Sequence, residues 1–162
     1  MNRLGKRCLF GLALILLSSV GVLAQNLQVI GPDGHAVTLT AADLAKAPRV
    51  KVSVTDHDKP VAFEGITLSA LLAAAGIPLS DKMKSPQLTQ ALLFEASDGY
   101  KVIFAMAEID PAFATREIIL ADTRDGKPLD AKEGPFRVIA RGDKRAARWI
   151  RQVSSIKIVV VR

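Results

Sequence analysis

The chain carries one cysteine, Cys8, in 162 residues. It lies inside an N-terminal apolar stretch, so everything after it lacks a thiol. That excludes a disulfide framework, a thiolate nucleophile and a soft-metal site built on thiolates. Aromatic residues make up only 5% of the chain, with a single tryptophan, Trp149, and a single tyrosine, Tyr100. His35 and His57 are the only imidazoles. No serine stands in a Gly-x-Ser-x-Gly elbow, so a hydrolase triad has little to be built from. No Gly-rich phosphate loop of the Rossmann or Walker type occurs. There is no internal repeat and no low-complexity tract.

What is present begins with an export signature. Arg3, Lys6 and Arg7 form a positive head, residues Cys8 to Leu23 are apolar or small, and Val22-Leu23-Ala24 suits signal cleavage. The apolar run is shorter than the roughly 20 residues a spanning helix needs. Cys8 lies near its start rather than after a cleavage box, which argues against a lipoprotein anchor. The expectation is a signal peptide over 1–24 and one domain over 25–162, periplasmic or secreted and not membrane-spanning after cleavage. Without Arg3, Lys6 and Arg7, the 22 basic residues fall to 19 against 16 acidic ones, and the net charge drops from +6 to +3. A nucleic-acid partner is not supported.

The mature region reads as many short strands with a few short helices. Strands are expected at Leu27 to Ile30, Val37 to Thr40, Val50 to Thr55, Val61 to Glu64, Ala91 to Ala96, Lys101 to Ala105, Glu117 to Ala121, Arg137 to Ala140 and Ile156 to Val161. Val50, Val52 and Val54 alternate with polar residues, the period of a half-buried strand. Thr40, with Asp43 three residues on, opens one helix. Thr67 caps another over Leu68 to Ala75, and Gly76 stops it. Ala107 to Pro111 reads as a turn or single helical turn. Asp143 is expected to cap a short helical segment, Gly65 to break a strand, and Ser80 to Gln90 to be irregular. Turns are signalled at Pro32-Asp33-Gly34, Ser97-Asp98-Gly99 and Asp125-Gly126. The mixed order predicts an α+β fold of short β-sheets rather than a doubly wound one.

Three constellations carry chemistry. Asp56-His57-Asp58 offers oxygen and nitrogen donors, but adjacent strand residues face opposite ways, and a polar turn is the plainer reading. Arg137, Arg141, Lys144, Arg145, Arg148 and Arg151 form a dense cationic series containing one acid, Asp143. It is either a solvated face or an anion site. Arg137 lies on an apolar strand and Arg148 adjoins Trp149, which makes these two the candidates for rigid placement. The others read as steering charge. Trp149 serves either as core or as a stacking wall, and Tyr100 either lines a pocket or is a half-buried strand residue.

The order of short motifs resembles a known family. Phe63-Glu64-Gly65-Ile66-Thr67-Leu68, Leu71-Leu72, Ala75-Gly76-Ile77, Ser97-Asp98-Gly99-Tyr100, Gly126-Lys127-Pro128-Leu129, Gly134-Pro135-Phe136-Arg137-Val138 and Arg148-Trp149-Ile150 follow one another as in the oxidoreductase molybdopterin-binding domain of the sulfite-oxidase type. The resemblance spans about residues 48 to 161 and implies a mixed α+β fold of several small sheets. Family enzymes hold a molybdenum–pterin cofactor and transfer oxygen atoms or reduce sulfoxides. Their metal takes a cysteine thiolate from the end of an early strand. Here that position is Asp56. The family arginine of the Gly-Pro-x-Arg turn falls on Arg137, and the cation before the tryptophan falls on Arg148. A carboxylate is a hard donor and would not reproduce a thiolate site. The signal has no twin-arginine pair, which favours export unfolded and without cofactor. The expectation is therefore a scaffold without cofactor. It binds a small anion or a membrane-protein partner, with Arg137 and Arg148 as anion ligands and Trp149 and Tyr100 as walls. The alternative is a minimal molybdopterin-dependent oxidoreductase using Asp56 or no protein ligand. A third reading is a structural envelope protein.

Overall fold

The computed structural model describes residues 26–77, 79 and 87–161. The expected signal segment 1–24 and residues 80–86 of the irregular stretch lie outside the described residues.

β1 (Asn26–Ile30) and β2 (Ala36–Thr40) form an antiparallel hairpin. Its turn is held by the Asp33 carboxylate, which accepts from the His35 amide at 3.0 Å. Thr40 closes β2 and caps α1 (Ala41–Leu44): its hydroxyl accepts from the Asp43 amide, and the Asp43 carboxylate accepts from the Thr40 amide. Hydrogen bonds from Thr40 and then Lys46 hold the Asp43 carboxyl down at about 2.

β3 (Arg49–Asp56) and β4 (Lys59–Thr67) form a second hairpin around His57 and Asp58. Both turn residues have positive φ, 51° and 62°, the geometry whose twist matches paired strands. Val52 is fully buried, and Val50 and Val54 pack against the core from its edge. Gly65 does not break the strand, as its residue type suggested; β4 runs through it to Thr67. Glycine is there because β4 and β7 (Ile118–Arg124) approach closely across a register shift. A Cβ at Gly65 would collide with the Leu120 carbonyl and lie 2.6 Å from the Ala121 Cα.

Thr67 caps α2 (Leu68–Ala74), accepting from the Ala70 amide. Leu68, Leu71 and Leu72 face the core, and Gly76 (φ 76°) follows as the stop. β5 (Gln90–Ala96) and β6 (Lys101–Ala105) form the expected hairpin, and α3 (Met106–Ile109) is a single helical turn. β8 (Lys127–Pro128), β9 (Arg137–Ala140) and β10 (Val153–Val160) complete the strands. Asp143 caps no helix. Only a 3-10 turn, Ala146–Arg148, follows it, and no side chain caps that turn.

One sheet runs β2-β1-β10-β5-β6, with β1 parallel to β10 and the remaining pairs antiparallel. The other runs β3-β4-β7, with β8 and β9 pairing successive parts of β7. The core includes Phe63, Phe94, Phe104 and Phe136, with Phe94 and Phe104 edge-to-face at 5.7 Å. The α+β class expected from the sequence is the observed one. Among the described residues no helix is long and apolar enough to cross a membrane.

A bidentate pair fastens β3 to β7: Arg49 meets both Asp122 oxygens, at 2.6 and 2.9 Å. Burial works to raise the Asp122 carboxyl, but hydrogen bonds from Arg49 and Thr123 outweigh it and hold it below its ordinary 3.8. A depressed carboxyl contributes stability that is present above its unfolded value and lost as pH falls through the folded one. Urea midpoints should therefore decline as pH drops below about 3.8. Asp122→Asn should flatten part of that decline and cost about 1 kcal/mol at neutral pH, the upper end for a partly exposed pair. An unchanged acid profile in Asp122→Asn would remove this pair from the account.

Candidate functional site

The chemistry of the fold gathers where the β3–β4 turn meets the segments 130–137 and 141–151. The Asp130 carboxylate accepts from the Lys132 and Glu133 amides, and its carbonyl accepts from the Gly134 amide at 2.7 Å. This turn sets Glu133 against Arg137, the first residue of β9, across the cis Gly134–Pro135 bond. β9 is buried at all four positions. Its Val138 amide donates to the Ile150 carbonyl, and the carbonyl of Phe136, just before β9, accepts from the Val153 amide. The 141–152 segment is thereby folded back onto β9.

Asp56, the last residue of β3, meets Arg137 at 3.0 Å. The same Arg137 nitrogen donates to Glu133 at 2.7 Å, and Arg124 reaches Glu133 at 2.6 Å and Asp56 at 3.7 Å. Two guanidiniums and two carboxylates thus form one quartet, with a dry Asp56–Arg137 pair and a partly exposed Arg124. The Asp56 side chain is 2% exposed and that of Arg137 is 5%. Both guanidiniums lie over the Phe63 ring, at 5.1 and 5.5 Å, and Arg137 is also 5.9 Å from Trp149. The quartet is incompletely satisfied: Asp56 Oδ1 and Arg137 Nε are buried without hydrogen-bond partners.

A second ionic cluster sits on α3. Arg148 clamps Asp143 with two hydrogen bonds of 2.8 and 3.0 Å, reaches Glu108 at 3.2 Å and covers the Phe104 ring at 4.4 Å. Arg116 joins the same two acids. The hydrogen bond to Asp143, with Glu108 behind it, raises the Arg148 guanidinium further above its ordinary value despite some burial. This cluster anchors the 141–148 segment to α3.

Three adjoining cavities share Trp149. The largest, about 760 Å³, opens between the β3–β4 turn and residues 141–146. A second, about 430 Å³, is lined by the quartet with His57, Arg151 and Trp149. The third, about 280 Å³, lies beside Tyr100 and Arg151. Trp149 resolves both of its sequence readings: it is buried, donates Nε1–H to the Ala140 carbonyl at 3.1 Å, and still forms the common wall. Tyr100 is half-exposed and its hydroxyl donates to the Ala147 carbonyl, so it tethers the segment that shapes the third cavity.

Asp56, Arg137 and Trp149 are brought together around one cavity. Arg148 is not: it lines none of these cavities, and its charge is taken up by Asp143 and Glu108. Sequence reasoning missed Arg124 and Glu133. Arg124 ends an apolar strand, and Glu133 stands four residues before Arg137, a spacing that has no meaning outside a helix until the turn is known. Lys144, Arg145 and Arg151, read from sequence as steering charge, line these cavities and have no ion-pair partner among the described residues. Also among the described residues, no three histidine, aspartate or glutamate side chains gather as a metal ion requires. At Asp56-His57-Asp58 only Asp56 is buried, while the other two form the turn.

No family model matches the sequence, and no curated protein matches it. Among solved structures the chain is similar to the sulfane dehydrogenase SoxCD from Paracoccus pantotrophus, with a TM-score of 0.62 and 19% sequence identity. The match covers 83% of this chain and 38% of that one, so the chain spans well under half of that neighbour's length. The likeness is one of fold.

Proposed function

We propose that this chain is a non-catalytic, exported relative of the sulfite-oxidase-type molybdopterin domain that binds a small anion in the cleft around Trp149. The coarse relationship rests on the fold and the motif order. The observation that carries the functional reading is the Asp56–Arg137 contact of 3.0 Å at the end of β3. Where the family places a thiolate, this chain has a hard oxygen donor, one oxygen of which is already committed to a guanidinium. The residues at this position do not fit a molybdenum–pterin group, and no chemical step is assigned to one.

The charge pattern supports an anion instead. Arg124 and Arg137 are neutralised within the quartet, whereas Lys144, Arg145 and Arg151 are not paired among the described residues. An oxyanion seated against Trp149 would take charge-assisted hydrogen bonds from Arg151 at low desolvation cost. The same exposed cations suit an acidic surface on a membrane-protein partner.

Two measurements test the reading. Elemental analysis of protein purified from its export compartment should find far less than one molybdenum per chain. About one per chain, with dye-linked reductase activity, would overturn the reading in favour of the minimal oxidoreductase. Calorimetric titration with oxyanions should show saturable binding that Arg151→Ala loosens by about tenfold, the worth of one charged hydrogen bond. No binding at all would equally defeat it.

A further inference from the structure

The quartet leaves one buried acceptor and one buried donor unmatched, on two residues that line the same cavity. Asp56 is 3% exposed and its Oδ1 has no hydrogen-bond partner; Arg137 is 4% exposed and its Nε has none. Both residues line the cavity that also holds Arg151 and His57. Buried polar atoms are nearly always satisfied, and an orphan on a residue that lines a cavity calls for a physical explanation. A purely cationic pocket would suit any anion. This one sets two carboxylates, Asp56 and Glu133, among its cations.

That composition discriminates. A carboxylate can only accept a hydrogen bond. A fully deprotonated oxyanion such as sulfate also only accepts, so it would face Asp56 with acceptor against acceptor. An oxyanion that keeps a hydroxyl at neutral pH donates that hydrogen to Asp56 while its remaining oxygens accept from guanidinium groups. The Nε2 of His57 lies 3.7 Å from Asp56 Oδ1 on a side chain that is 92% exposed, so it can swing aside without losing packing.

We infer that the cavity selects hydroxyl-bearing tetrahedral oxyanions, of which hydrogen phosphate is the simplest, with Asp56 as the acceptor that reads the hydroxyl and Arg151 as a general anion ligand. This rests on the anion-binding reading above. The test is calorimetric titration of the purified chain with inorganic phosphate and with sulfate, at neutral pH and equal ionic strength. Phosphate should bind at least about tenfold tighter, since sulfate leaves a buried acceptor opposed. In Asp56→Asn the amide oxygen must turn to Arg137, which aims the amide NH₂ at the ligand. The preference should then collapse or reverse. Arg151→Ala should weaken both anions and leave their ratio unchanged.

Equal binding, or tighter binding of sulfate, overturns the inference while leaving the anion reading intact. So does a preference that survives in a folded Asp56→Asn protein, or one that disappears in Arg151→Ala. Failure of both anions to bind removes the anion reading and this inference together. If Asp56→Asn does not fold, the wild-type ratio and the Arg151→Ala ratio still decide.

Discussion

Arg137→Ala is expected to destabilise the fold by about 3 kcal/mol, the lower end of what breaking one partner of a buried ion pair costs. The substitution strands the Asp56 carboxylate, whose side chain is 2% exposed and whose Oδ1 is already unpartnered. Glu133 keeps Arg124 at 2.6 Å, and Arg124 lies 3.7 Å from Asp56, which is why the loss stays short of the largest values. The guanidinium also packs on Phe63 and Trp149, so Arg137→Lys, which keeps the charge but loses the planar fork, should fall between wild type and alanine. Removing both charges, as Asp56→Leu with Arg137→Met, should recover most of the loss, because apolar replacement of a whole buried pair is often neutral or better. Urea unfolding of the four proteins measures this. A loss below about 1 kcal/mol in Arg137→Ala would place the pair among solvated ones that contribute little.

Gly65→Ala is expected to cost about 3 kcal/mol as well, by a different route. The added methyl would meet the Leu120 carbonyl and the Ala121 Cα, both backbone, at a register shift between paired strands. A flexible side chain could yield, but a paired strand cannot move without losing ladder hydrogen bonds. The control is Gly126→Ala in the β7–β8 turn, where a Cβ meets nothing within 4 Å and only the positive φ of 76° is at stake. That change should cost about 1 kcal/mol. Similar losses at the two positions would show that conformational freedom, not close approach, explains Gly65. Because β4 pairs with both β3 and β7, unfolding of Gly65→Ala should also loosen the hairpin that presents Asp56.

Much of the scaffold was legible from local rules. The Thr40 and Thr67 caps, the Asp98-Gly99 hairpin and the extent of β9 follow from side-chain hydrogen bonding, glycine conformation and apolar runs, all of which act within a few residues. Gly65 and Asp143 were misjudged for one shared reason. A glycine in an apolar run looks like a breaker, and an aspartate before a helical turn looks like a cap. Each instead answers to a distant partner: Leu120 and Ala121 for Gly65, Arg116 and Arg148 for Asp143.

The site divides along the same line. The family resemblance singled out Arg137 and Trp149 by their motifs and Asp56 by its place at the end of an early strand, and the folded chain sets the three around one cavity. Arg148 came from the same motifs, yet Asp143 and Glu108 absorb its charge away from the cleft.

The sequence alone determined the absence of any thiol beyond Cys8 and the α+β class, because these depend on which atoms the chain contains and on short-range periodicity. Only the tertiary structure decided which cations are neutralised and which face a cavity with charge to spare. Coulombic pairing falls steeply with separation and desolvation, and neither distance nor burial exists until segments 80 residues apart in the chain, as Asp56 and Arg137 roughly are, have been folded against each other.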